Sequence, residues 1–217
     1  MCYVIMHEMA LFRTHVTVGA VATSGFIAWA YSQELLTDVG LLALALMVGI
    51  VGSFLPDVDS DSGLSFQIVF GTVTAACGGA VLAFLLTSLE PYSWKALIGI
   101  PLGVLVFVWF VIGGIVKKLT HHRGMWHSLP TALLATLVTY IMASARLDTT
   151  TSTVLAGAML AGFLSHLFAD EWCSVVNLDG TPFTPKHSLG TAVKLFGDSL
   201  TVNVLLYALL AAIVFFP

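Results

Sequence analysis

The stretch GFLSHLFADEW places His166 and Asp170 four residues apart. On a helix that spacing sets an imidazole and a carboxylate on one face about 5–6 Å apart, close enough to chelate one cation or bridge two. Three other segments carry the same residue types. RTHVTVG contributes His15, and LPDVDSD presents Asp57, Asp59 and Asp61 at alternate positions after Pro56. HHRGMWHS supplies His121, His122 and His127 around a glycine, with Arg123 among them. Alternating carboxylates in an extended turn aim the same way, as a cation site requires. Imidazole donors suit zinc and its neighbours better than magnesium, so the chemistry this set points to is that of a bound divalent metal, zinc first.

Each segment alone has a plainer reading. A single histidine such as His15 fits an interfacial position, and PDVDSDSG reads as a helix cap or solvated turn, because Asp and Ser favour both. That stretch also lacks the later glutamate of an EF-hand loop, which removes calcium binding of that kind. Ser128 and Ser165 read as caps or packing residues, and no Ser-His-Asp spacing makes either a nucleophile. Trp94, Trp126 and Trp172 suit an aromatic belt. What favours a metal site is convergence, and that depends on the elements that carry the four segments.

Those elements are built for lipid. Of 217 residues, 58% are hydrophobic and only 9% charged, against roughly a quarter charged in soluble domains. Several runs approach the ~20 apolar residues that cross ~30 Å of hydrocarbon. The expected fold is all-α, a polytopic membrane helical bundle with about seven transmembrane helices. The expected spans run roughly over Val16–Tyr31, Gly40–Leu55, Phe66–Leu89, Trp94–Val116, Leu129–Ala145, Val154–Phe168 and Leu200–Phe216. Residues 1–12 read as an N-terminal tail and 13–217 as one integral-membrane domain; Met9 is an alternative start that would make the first eight residues dispensable. Glycines within the spans, including Gly49 and Gly52, permit close helix contact. Cys2, Cys77 and Cys173 show no CxxC spacing, which excludes a disulfide framework or thiolate site. No basic surface suggests nucleic acid.

With the N-terminus in the cytoplasm, Arg13, Lys117, Lys118, Arg123, Lys186 and Lys194 fall inside, and Lys95 and Arg146 outside. On that map all seven histidines lie on or near the cytoplasmic side, together with Asp57, Asp59, Asp61, Asp170, Asp179 and Asp198. The charge count used neither residue type. The candidate metal site therefore sits at the cytoplasmic helix ends, and ionisable groups in such places are functional by default.

Taken in order, THVTVG, LPDVDS, HHRGMWHS and GFLSHLFAD resemble the motif set of the YdjM-type inner-membrane metal-dependent hydrolases, also called LexA-binding membrane-associated hydrolases. The resemblance covers about residues 13–190, and the later DGTPFTPKH is similar to that family's Gly/Pro segment. It implies a prokaryotic inner-membrane protein, distantly similar to zinc-dependent phospholipase C and P1 nuclease. Carried over where the motifs match, the implied ligands are His15, Asp57, His122, His127, His166 and Asp170, with Asp59 in the matching aspartate pair. His121, His187 and Glu171 are weaker candidates, and the doubled histidine of HHRG leaves His121 and His122 open. The implied activity is hydrolysis of a phosphoester, lipid-linked or phospholipid-like, by water activated on roughly two or three ions. Asp57 or Asp59 would bridge or act as general base, and Arg123, with Lys186 assisting, would hold phosphate oxygens. The implied partners are the membrane and a lipid-type substrate, with binding of a regulator protein suggested by the family name. The competing reading is a divalent-metal transporter or a metal-binding membrane module without hydrolytic activity. Transporters, however, place ligands near the bilayer midplane on broken helices, and here the candidates gather at span ends.

Overall fold

The computed structural model describes residues 2–59, 64–87, 92–115, 126–175, 194–197 and 199–215, and among them the side chains of 2–11, 59, 64–65 and 173–175 are left undescribed. Among the described residues there are seven α-helices and no strand: α1 (Cys2–Ser32), α2 (Val39–Phe54), α3 (Leu64–Thr87), α4 (Trp94–Val106), α5 (Leu129–Ser144), α6 (Thr149–Val175) and α7 (Leu200–Phe215). The expected all-α architecture is therefore what the chain adopts. Two helices are longer than expected. α1 begins at Cys2, so residues of the expected tail continue the first span as helix. α6 extends the expected Val154–Phe168 at both ends.

Polar residues at the boundaries explain where the helices start. Asp38 accepts a hydrogen bond from the Leu41 amide at 2.8 Å, Ser128 caps α5 through Thr131, and Asp148 caps α6 through the Thr151 amide at 3.0 Å. Each cap satisfies an amide that the first helical turn leaves without a partner. α2 stops before Pro56, whose ring cannot donate to the helix, and the chain turns through a single 3-10 segment, Pro56–Asp59.

Among the described residues three helices are long and apolar enough to cross a membrane: Phe66–Thr87, Trp94–Ile115 and Thr149–Trp172. Val39–Phe54, Leu129–Ser144 and Leu200–Phe215 are shorter apolar helices. The chain divides into two compact units. One comprises residues 1–57 and 123–217, the other 58–122.

In the second unit α3 and α4 pack on each other, and α4 continues through a π-helical stretch, Phe107–Ile112. Phe66 stacks on Phe70 and meets the edge of Trp109. Much of this pair's apolar surface stays uncovered, Phe84, Ile98, Phe107 and Phe110 among it, as expected of residues that face lipid.

In the first unit α6 is the central helix, packed against α1, α2 and α5, while α7 leans on α5. Most of the apolar span of α6 is buried. Two glycines make this possible. A Cβ on Gly162 would collide with the Gly49 carbonyl oxygen of α2, and one on Gly19 would collide with the Ser53 side chain. Without side chains at these points α2 and α6 approach backbone to backbone, and the α1 backbone at Gly19 seats against the Ser53 side chain of α2. Phe163, fully buried, packs beside this contact with Ala132 and Leu167.

Candidate metal centre

The close approach of α1, α2 and α6 sets the first feature of the site. His166 Nδ1 lies 2.7 Å from the Ser53 backbone carbonyl. That carbonyl belongs to the last turn of α2, where Pro56 has ended the helix and no intrahelical donor remains for it. A carbonyl only accepts, so Nδ1 carries the proton and donates. In the neutral ring Nε2 then presents its lone pair. His166 is wholly buried, and Nε2 makes no hydrogen bond among the described residues. A buried nitrogen lone pair with its ring locked from behind is how proteins present a histidine to a metal.

Four other side chains converge on it. His15 of α1 stacks on the His166 ring, centroids 4.0 Å apart. His127, just before α5, lies with its ring 5.4 Å from that of His166. Asp57, in the turn after α2, and Asp170, one helical turn beyond His166, supply the carboxylates. Asp57 Oδ1 stands 3.4 Å from His127 Nε2 and 3.5 Å from His166 Nε2. Asp170 Oδ1 stands 3.4 Å from His15 Nε2, while Oδ2 stands 3.7 Å from His127 Nε2 and 3.6 Å from His166 Nε2.

These spacings carry information. Charge-assisted N–H···O bonds are about 2.7–2.9 Å long, so the pairs are too far apart for strong direct ion pairing. Ligand bonds of roughly 2.0–2.2 Å in a tetrahedral zinc site put neighbouring donor atoms roughly 3.3–3.6 Å apart. The observed separations match the second figure. Two overlapping groups, His15–Asp57–His166 and His127–His166–Asp170, each bring three ligand atoms within 4.8 Å of one another, and either could hold a metal ion. His166 belongs to both. The donor set is imidazole and carboxylate only, which fits a divalent transition-type cation.

Exposure grades across the cluster. The three histidines are buried, while the Asp57 and Asp170 side chains are 23% and 20% exposed, so water reaches the carboxylate edge. Burial pushes the Asp57 carboxyl up. The close His127 ring and the positive charge that His166, His127 and His15 would carry outweigh it and hold the group below its ordinary value. Asp57 is therefore an ionised donor at neutral pH.

Five of the residues singled out in the sequence thus come together: His15, Asp57, His127, His166 and Asp170. Asp59 closes the 3-10 turn, but its side chain is not described. His121, His122, Arg123, Lys186 and His187 lie outside the described residues. Glu171 is half-buried and is not a member of either ligand group. Ser128 caps α5 and Ser165 donates to the Gly162 carbonyl at 2.6 Å, so both serines act structurally. Sequence reasoning missed the Ser53 carbonyl. Its signal was Pro56 three residues downstream, which ends a helix and leaves carbonyls to be satisfied.

The family model of the YdjM inner membrane protein matches residues 9–216. The chain belongs to this family. The match takes in all five clustered side chains and every helix from the middle of α1 to the end of α7. Its inner-membrane description agrees with the helices long and apolar enough to span a bilayer. No curated protein and no solved structure matches the chain.

Proposed function

We propose that this YdjM family member is a membrane-embedded, zinc-dependent phosphoester hydrolase whose site opens toward the cytoplasm. The observation that carries the reading is the spacing of the cluster, four ionisable side chains gathered about His166, whose other nitrogen is already engaged, with imidazole-to-carboxylate separations in the range of tetrahedral ligands. His15, Asp57, His127, His166 and Asp170 would hold the cation, with Asp59 and His122 as further ligands expected from the sequence. Bound zinc supplies Lewis acidity toward a phosphoryl oxygen and makes a coordinated water acidic near neutral pH.

The chain's own groups do the rest. Ser53 fixes the His166 ring. Asp57 directs Oδ1 to His127 and His166, which leaves Oδ2 as the atom assigned to take a proton from attacking water. Arg123 is the group expected to hold phosphate oxygens.

Depth supports a lipid-type substrate. His166 stands seventeen residues along α6 from Thr149, roughly 26 Å at 1.5 Å per residue. A span of ~30 Å of hydrocarbon therefore puts the site near one surface rather than at the midplane. The lysine and arginine distribution in the sequence supports the cytoplasm as that surface. A transporter would hold its ion near the middle.

The test is metal analysis of the purified protein, followed by phosphate or headgroup release from mixed phospholipid and lipid-phosphate substrates with and without chelator. Zinc-dependent release that His166→Ala abolishes supports the reading. A zinc-loaded preparation that turns over no phosphoester overturns it, and zinc uptake into proteoliposomes would put a transporter in its place.

A further inference from the structure

The segment just before α7 is held down by side chains of that helix. Asn203 accepts from the Gly197 amide and donates to the Gly197 carbonyl, both at 2.8 Å, so the side-chain amide and the peptide form a two-bond pair. One turn further along α7 the Tyr207 hydroxyl donates to the Leu195 carbonyl at 2.8 Å. At its other end the segment joins the start of α5. Lys194 forms a parallel bridge with Ser128, and the Leu129 amide donates to the Lys194 carbonyl at 3.4 Å. Ser128 directly follows the candidate ligand His127. Asn203 and Tyr207, in a mostly apolar helix, thus fix a four-residue strap next to the residue that follows His127.

The strap delivers one charge. Lys194 is half-buried and its backbone is registered against the residue next to His127. An ammonium on a four-carbon stem is a point charge that reaches several ångströms from its backbone. The carboxylates of the cluster are also its more exposed side, and the backbone pairing of Lys194 with Ser128 and Leu129 places the strap at the end of α5 that carries His127.

Resting on the hydrolase reading above, we propose that Lys194 is an anion-binding residue of the site, presented by the strap to a phosphate group of the substrate. Asn203 and Tyr207 are positioning residues for it. The ligand class is a phosphate monoester or diester, and binding rather than bond cleavage is the role assigned.

The experiment uses the zinc-loaded full chain in detergent, with inorganic phosphate as the probe in calorimetric titration. Lys194→Gln is expected to weaken phosphate binding about ten-fold or more, as loss of a charge-assisted contact does, with zinc content unchanged. Lys194→Arg should bind within about three-fold of the parent, since it keeps the charge. Asn203→Ala should lose several-fold in phosphate affinity although the lysine remains. Raising ionic strength should weaken binding by the parent more steeply than binding by Lys194→Gln. Lys95→Gln, at the start of α4, should match the parent. If Lys194→Gln loads no zinc, the comparison of Lys194→Arg and Asn203→Ala with the parent decides. Phosphate binding by Lys194→Gln equal to the parent's overturns the assignment and leaves the hydrolase reading standing. A zinc-loaded parent that binds no phosphate and releases none from any ester overturns that reading, and the assignment with it.

Discussion

Replacing His166 by alanine removes the one side chain common to both candidate ligand groups, so it tests the cluster more directly than any other change. Structural zinc sites with four ligands have apparent binding energies of roughly 10–16 kcal/mol, or roughly 2.5–4 kcal/mol for each ligand. Losing His166 should therefore weaken zinc binding roughly a hundred- to a thousand-fold. The assay is thermal unfolding of the detergent-solubilised protein followed by fluorescence of its five tryptophans, each variant measured with zinc and again with chelator. At zinc concentrations a hundred times the parent's Kd, ligation adds about 2.7 kcal/mol. For a chain of this length that raises Tm by roughly 5–10 °C. Under the same conditions His166→Ala should gain less than about 2 °C. Any fall in the chelated baseline from the lost buried ring cancels in the difference. A zinc-dependent shift in His166→Ala as large as the parent's refutes the reasoning, because the 3.4–3.7 Å separations would then reflect ordinary side-chain packing around His166 rather than a ligand shell.

Gly162→Ala should cost about 1–3 kcal/mol of stability, because its methyl would strike the Gly49 carbonyl and force α2 from α6. By loosening the Ser53–His166 bond it should also lower zinc affinity about 10- to 100-fold, read by competition with a chelating dye. Phe163→Ala, at a fully buried position, should cost about 3–5 kcal/mol in the same unfolding assay. Zinc affinity should fall as pH drops, because protons compete with the metal for the imidazole nitrogens and carboxylate oxygens, and a calorimetric titration from pH 8 to 5.5 checks it. The carboxyl of Asp148 is held below its ordinary value by hydrogen bonds from Thr151. Its folded pKa is thus lower than its unfolded one, so its contribution is complete above the unfolded value and fades as pH falls through the folded one. Asp148→Asn should therefore lower stability at pH 7, change little at the acid end, and so flatten the profile between the two, read by thermal unfolding across pH.

What the sequence made legible was whatever is local. Helix-ending Pro56, the His166–Asp170 spacing and the cap at Ser128 all act within a few residues, and each reads directly from the chain, whereas the Asp148 cap that starts α6 five residues before the expected Val154 was not read. Charge asymmetry went further, since it gathered His15, Asp57, His127, His166 and Asp170 on one face without any knowledge of packing. What it did not reveal depends on glycine backbone meeting the neighbouring helix. Gly19 and Gly162 have no property in the sequence that distinguishes them from glycines whose added Cβ would meet nothing, such as Gly79 or Gly99. Their role exists only because Ser53 and Gly49 happen to lie opposite. The same holds for the Ser53 carbonyl, an atom that every residue possesses and no motif marks.

That distinction bears on how the site works. Five donors on four segments can be brought to tetrahedral spacing only if the helices that carry them are held at fixed separation, and a ligand shell loose by an ångström binds weakly. The contact of Gly49 with Gly162 supplies that rigidity where side-chain packing could not, because any side chain there would hold the helices further apart. His166 then converts the fixed separation into chemistry. Its Nδ1 is tied to α2 while its Nε2 faces the carboxylates, so a shift between α2 and α6 must turn the ring. Metal affinity in this protein should therefore track the separation of those two helices more closely than it tracks overall stability. A set of substitutions at Gly49, Gly162 and Phe163 separates the two. The glycine variants should lose zinc out of proportion to their change in Tm, and Phe163→Leu should lose Tm while keeping its zinc. Equal proportions across the set would mean that the seam only stabilises the fold and does not tune the centre.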